Sequence, residues 1–209
     1  MEYAYEYFKN IIKIEMKVTI IPFSFHEEWI PDSIAWKKSY NSISGKYYEE
    51  LVKPFKSYGI DEGNIQLINY YVDDEKSAIE KIKNSNILLF TGGLPEKTMK
   101  RLNEIKLTST IETYQGILMG FSAGAMIQCE NYYISPDEDY TEFTYEKGLK
   151  GINDFEVQVH FKCKKEEIDS IEKYINETAN KVYTTTGESA ILVDNGKVTL
   201  LGNAKLFQK

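Results

Sequence analysis

Arginine is nearly absent from this chain. Of 25 basic residues in a sequence of 209, Arg101 is the one arginine and the rest are lysines. The planar guanidinium fork that grips a carboxylate or phosphate in two places is therefore almost excluded as a surface recognition device. Cysteine and histidine are scarce as well, with two of each. Cys129 and Cys163 form no C-x-x-C pair and, with His26 and His160, make a poor zinc set. Cys129 lies in an apolar segment and reads as a packed core thiol. So little cysteine suits a reducing, cytoplasmic setting. No apolar run reaches the roughly 18 residues of a membrane span. The first residues lack the basic start, apolar centre and small-residue cleavage site of a secretory signal. The net charge of −7 argues against nucleic acid or an anionic membrane as the main partner.

What remains is the composition of a globular protein, 42% hydrophobic and 27% charged, long enough for one domain around a single sizeable core. Strand-like and helix-like segments alternate. Helical spacing covers 3–14, and VTIIP at 18–22 is a short buried-type strand. A polar and aromatic loop, 23–31, leads to Asp32, which can N-cap a helical region running to Tyr58 with a break near Gly45. Strand 65–71, helix 74–84 and strand 87–90 follow, the last ending in Thr91-Gly92-Gly93. Pro95 opens a helix over 95–105. Segment 116–120 is a buried-type strand, 132–134 a short one, and 135–147 a polar acidic loop. Segment 155–161 alternates as a strand ending at His160, and 166–180 is helical. The tail, 182–207, contains a hairpin about Asn195-Gly196. Alternating βα units predict an α/β fold, a mostly parallel sheet with helices on both faces. Sites in such sheets lie at the carboxyl ends of the strands, where Gly92-Gly93, Ser122 and His160 all fall.

The stretch Gly120-Phe121-Ser122-Ala123-Gly124 ends a strand and opens a helix-like run. It matches the G-x-S-x-G elbow, whose small flanks suit a tight, strained turn. The Ala123 N–H, at the positive end of the helix, then points where an oxyanion would form. A serine needs a base. His160 is the better placed, with His26, in the loop after VTIIP, as the alternative or as a rim and substrate contact. The base needs an orienting acid, and the loop SPDEDY offers Asp137, Glu138 and Asp139, Asp137 also suiting a turn after Pro136. Gly93 or Leu94 would supply the second oxyanion donor, because Gly-Gly allows close backbone approach. No phosphate-loop pattern follows these glycines.

Gly-Phe-Ser-Ala-Gly-Ala, the preceding Thr-Gly-Gly turn, and Pro-Asp-x-Asp-Tyr before a strand ending in Val-His resemble the peptidase E and cyanophycinase family, from about Val18 onward. The resemblance implies serine peptidases on a single-domain, three-layer, flavodoxin-like fold of the class I glutamine-amidotransferase type. It implies Ser122 as nucleophile, His160 as its histidine, Asp137 as third member with Glu138 and Asp139 as alternatives, and Gly93 on the oxyanion turn. Three features depart from the family pattern. The chain starts at the helix that a strand and loop precede in the relatives, the glycine turn continues Leu-Pro-Glu, and lysines (Lys162, Lys164) stand where peptidase E uses an arginine for an N-terminal aspartate. Ser122 in place of cysteine argues against glutamine hydrolysis.

The sequence thus predicts a cytoplasmic serine peptidase that cleaves a short peptide or related amide through an acyl-enzyme. Catalysis is assigned to Ser122, His160 and Asp137, the oxyanion hole to Gly93 and Ala123, and substrate contact to Lys162 and His26, with no metal or cofactor. A non-catalytic binding or regulatory module on the same fold is the alternative. An α/β-hydrolase esterase ranks lower, since too little chain follows Ser122. SPDEDYTEF lacks EF-hand spacing for calcium. Phe23, Phe25, Trp29 and Tyr140 can line a pocket mouth, but more of them are expected as packing or interface residues, compatible with a homodimer.

Overall fold

Short, almost purely apolar runs form the strands of the first part of the chain, because a parallel strand covered on both faces has no polar side to show. The computed structural model describes residues 2–137 and 139–209, the side chains of Glu2 and Tyr3 excepted. They form two compact units. One is residues 8–124, and the other joins the N-terminal segment through Tyr7 to residues 125–209. Helix α1 (Glu2–Phe8) is shorter than the spacing predicts. Beyond Phe8 the Ile11 and Ile12 amides both donate to the Phe8 carbonyl, closing a turn instead of continuing the helix.

In unit 8–124, β1 (Val18–Ile21) is buried throughout. Helix α2 (Ser33–Tyr40) is capped by Asp32, whose carboxylate accepts from the Ile34 and Ala35 amides, and the chain breaks about Gly45 before α3 (Tyr48–Ser57). Strand β2 (Ile65–Leu67) stops short of the predicted Tyr71. Asn69 ends it, its side chain accepting from the Tyr71 amide while its own amide donates to Asp73. Helix α4 (Glu75–Lys83) carries an Asp74/Ser77 capping box. Strand β3 (Ile87–Phe90), also fully buried, leads to α5 (Pro95–Glu104), the unanticipated α6 (Thr108–Glu112) and β4 (Ile117–Gly120). The four strands pair in parallel in the order β2-β1-β3-β4. Ile20, Val52, Phe55, Ile87 and their neighbours form the core, each contributing about 1.5–3 kcal/mol by its burial. Parallel pairing brings the carboxyl ends of β1, β3 and β4 to one edge, and with them the loop after Pro22, the Gly92-Gly93 turn and the Ser122 elbow.

The helix after the elbow is a single turn, α7 (Ala123–Met126), shorter than the apolar run suggests, so little helix dipole stands behind it. The Gln128 and Cys129 amides reach back three residues to Ala125 and Met126, and Cys129 enters a buried bridge with Ile152. In the second unit, β5 (Asn131–Ile134) pairs antiparallel with β6 (Thr144–Lys147). The predicted acidic loop therefore yields its last four residues to a strand, which the charged sequence TYEK conceals. Strand β7 (Phe155–Gln158), α8 (Lys165–Thr178) and β8 (Lys181–Thr184) follow, with β7 and β8 parallel. Strands β9 (Ser189–Asp194) and β10 (Lys197–Gly202) form the predicted hairpin, with positive φ at Asn195 and Gly196. Strand β11 (Lys205–Phe207) closes on β8. Ile171, Tyr174 and Val182 centre this unit's core. No helix among the described residues is long and apolar enough to cross a membrane.

The second unit also buries a carboxylic acid. Glu156 on β7 is fully buried, and neither carboxyl oxygen has a side-chain hydrogen-bond partner among the described residues. Burial pushes its carboxyl well above the usual range, beside Cys129, Tyr133 and Tyr174. Above about pH 4.5 the unfolded chain loses this proton while the folded chain keeps it. Stability should therefore fall with rising pH, by up to about 1.4 kcal/mol per pH unit, until the raised folded value is passed. Glu156→Gln keeps the shape without the titration. It is expected to melt with the parent at pH 4.5 and above it at pH 8. A difference in Tm that does not grow with pH would contradict this.

Candidate active site

Strand β4 delivers its chain directly into a strained turn. Ser122 has φ 52°, a left-handed conformation that a side chain disfavours and that costs about 1–3 kcal/mol. The turn is held by the Phe121 amide on the Phe90 carbonyl and by the Gly124 amide on the Phe121 carbonyl at 3.0 Å. A Cβ at Gly124 would collide with the Phe90 carbonyl oxygen, which is why a residue without one stands two places after the serine.

The glycine turn after β3 packs against this elbow, for a Cβ at Gly92 would come within 3.0 Å of the Ser122 Cβ. Gly93 has φ 135°, and a Cβ there would collide with the Ser24 carbonyl oxygen. Ser24, on the loop after β1, clasps the turn. Its hydroxyl bonds Thr91 Oγ1 at 2.8 Å and the Gly92 carbonyl, and its carbonyl accepts from the Leu94 amide at 2.8 Å. Of the two candidates for the second oxyanion donor, Gly93 and Leu94, the Leu94 N–H is thus already bonded to Ser24.

His26 follows on the same loop. Its Nδ1 accepts from the Glu28 amide at 3.1 Å, so the neutral ring carries its proton on Nε2. To serve as a base it would have to break that bond. Its ring lies 5.7 Å from that of Trp29, which is well exposed. Phe23 and Phe25 are buried, in the packing role open to these aromatics and not at a pocket mouth.

In the second unit, His160 is exposed, two residues past the end of β7, with φ 53°. The Phe161 amide donates to the Thr185 carbonyl, and the Thr185 amide to the Gln158 carbonyl, both at 2.9 Å. The Gln158 side chain accepts from the Ser135 hydroxyl at 2.8 Å. Two loops thus border the His160 turn, one carrying Asp137 and one carrying Glu188. Asp137 is exposed, and its Oδ1 accepts from the Asp139 and Tyr140 amides at 2.8 and 2.9 Å, the turn expected after Pro136. Asp139 is exposed on the same loop. The candidate Glu138 lies outside the described residues. Glu188, exposed on the loop after β8, is a carboxylate the sequence reading missed. Only the β7–β8 pairing, which no local motif announces, brings its loop beside the histidine. Lys162 is exposed, its amide donating to Glu167 Oε2 at 2.9 Å.

The model of peptidase family S51 matches residues 6–201. The chain belongs to this family. It is a serine-type peptidase, and so a hydrolase. Among solved structures it is similar to one described as a peptidase E protein from Listeria monocytogenes EGD-e, with a TM-score of 0.60 and 18% identity over 90% of this chain and 86% of that one. It is equally similar to a peptidase from an acI-B1 actinobacterium, with a TM-score of 0.59 and 18% identity over 100% of this chain and 84% of that one. No curated protein matches.

This S51 peptidase keeps its single arginine away from solvent. Arg101 on α5 is buried. Its Nη1 donates to the Phe23 carbonyl and to the Phe25 carbonyl, the latter at 2.7 Å, and its Cζ lies 3.8 Å from the Phe25 ring centre. Glu27 meets Lys97 at 3.0 Å and Arg101 Nη2 at 3.2 Å. The hydrogen bond from Lys97, aided by Arg101, draws its carboxyl down to about 2.

Proposed function

We propose that this chain hydrolyses the amide bond of short peptides through an acyl-enzyme on Ser122. The observation that carries the reading is the strained Ser122 turn at the end of β4 with the glycine turn packed against it. Ser122 Oγ attacks the substrate carbonyl as His160 takes its proton. The Gly93 and Ala123 N–H groups hold the oxyanion, and His160 returns the proton to the leaving amine. Water, activated by the same histidine, then releases the acid and restores the serine. His26, with Nδ1 committed to its own loop, contacts substrate instead, and Lys162 supplies positive charge to it.

The orienting carboxylate comes from one of the two loops bordering the His160 turn. Asp137 spends Oδ1 on the Asp139 and Tyr140 amides of its own loop. Glu188 stands on the segment whose Thr185 carbonyl anchors Phe161. Amide exchange separates them. Asp137→Asn or Glu188→Gln, whichever removes the orienting acid, should lower kcat about 10⁴-fold, and the other should change it little.

The test of the whole reading is labelling with a fluorophosphonate, followed by mass mapping and by turnover of a dipeptide library. The adduct is expected on the peptide containing Ser122 and should be lost in His160→Gln. A folded protein that neither labels nor turns over any library member would return the non-catalytic reading.

A further inference from the structure

A fully buried charge is costly unless its hydrogen bonds are met, so the surroundings of Arg101 report what it is for. Every polar contact it makes bears on one loop. Nη1 ties down the carbonyls of Phe23 and Phe25, the two neighbours of Ser24. The guanidinium carbon sits over the Phe25 ring, with the Tyr70 ring centre 5.3 Å away. Glu27, two residues on, balances the charge. Ser24 in turn bonds Thr91, Gly92 and Leu94, and Gly92 abuts Ser122. A continuous set of contacts therefore runs from Arg101 through Ser24 to the turn that presents the Gly93 N–H. All of it lies within unit 8–124.

We propose that Arg101 is a positioning residue for the oxyanion turn, acting through Ser24. The inference rests on the serine-hydrolase reading above and specifies how one of its donors is held. A methionine at 101 would fill much of the volume, yet leave two loop carbonyls without a donor. A lysine could meet them, but without a delocalised guanidinium over the Phe25 ring. In each case Ser24 loses its register, the glycine turn relaxes, and the Gly93 N–H leaves the place where the oxyanion forms. Substrate binding, which involves other groups, stays.

The experiment compares the parent with Arg101→Lys, Arg101→Met and Ser24→Ala. The readouts are kcat and KM on a reactive ester substrate and on its thionoester analogue, normalised to folded protein. Sulfur accepts hydrogen bonds poorly, so the ester-to-thionoester rate ratio reports the oxyanion donors and is blind to the amount of folded enzyme. Arg101→Met and Ser24→Ala should lose about 10- to 100-fold in kcat at nearly constant KM, part of the 10²–10³ that a whole donor is worth. Their ester-to-thionoester ratio should fall in parallel, and Arg101→Lys should lie between them and the parent. Should Arg101→Met fail to fold, Ser24→Ala decides, since it leaves the buried charge pair intact. A Ser24→Ala enzyme with parental kcat and ratio overturns the inference. If Ser122→Ala itself retained turnover, the serine reading would be at fault. A dead Ser122→Ala beside a normal Ser24→Ala would sink only the role given to Arg101.

Discussion

Ser122→Ala is expected to lower kcat by a factor on the order of 10⁶, leaving only the rate that oxyanion donors and binding provide over water. The loss is so large because nucleophile and base work as a unit, and removing one idles the other. The elbow geometry adds a second, opposite expectation. Ser122 sits at φ 52°, where a side chain costs about 1–3 kcal/mol. Ser122→Gly removes that cost, so it should be as inactive as the alanine variant while melting above it and above the parent. Differential scanning calorimetry beside the activity assay checks both. A glycine variant that melts no higher than the alanine variant would show that the turn stores no strain.

Gly93→Ala should be the most damaging substitution that leaves every catalytic side chain in place. At φ 135° with the Ser24 carbonyl against the missing Cβ, alanine must displace backbone and not a flexible side chain. A loss of about 3 kcal/mol or more is expected, or a Tm lower by roughly 6–12 °C for a chain of this size. In the folded remainder, kcat should fall about 10²–10³-fold, because the donor N–H moves with the turn. Gly187→Ala is the control, since nothing lies within 4 Å of that position, and it should stay within about 0.5 kcal/mol of the parent. Equal melting of the two variants would refute the account of the turn.

The parts of this fold that could be read from the chain are those whose cause is local. VTII and ILLF are apolar on both faces and bounded by polar loops. Asp32 and Asp74 cap helices through amides two or three residues away. Asn195-Gly196 adopts the positive φ its hairpin needs. The Ser122 elbow and the Gly92-Gly93 turn belong to the same class. What escaped depends on distant partners. TYEK and KLF become strands only because β5 and β8 offer them ladders. The predicted strand over 65–71 ends early because Asn69 and Asp73 find each other. Ser24 meets Thr91 and Gly92 only through the fold, Arg101 meets carbonyls 76 and 78 positions away, and the Glu188 loop reaches the His160 turn only through a strand pairing. None of these has a signature within a window of a dozen residues.

The seclusion of the sole arginine has a practical consequence. Vicinal dicarbonyl reagents attack guanidinium groups, and here only one target exists, with 2% of its surface open to solvent. Every molecule of reagent taken up at a guanidinium would therefore count one transient opening of the loop that Arg101 ties down. The native protein carries a built-in single-site reporter, readable by mass, of how often the segment beside its glycine turn breathes.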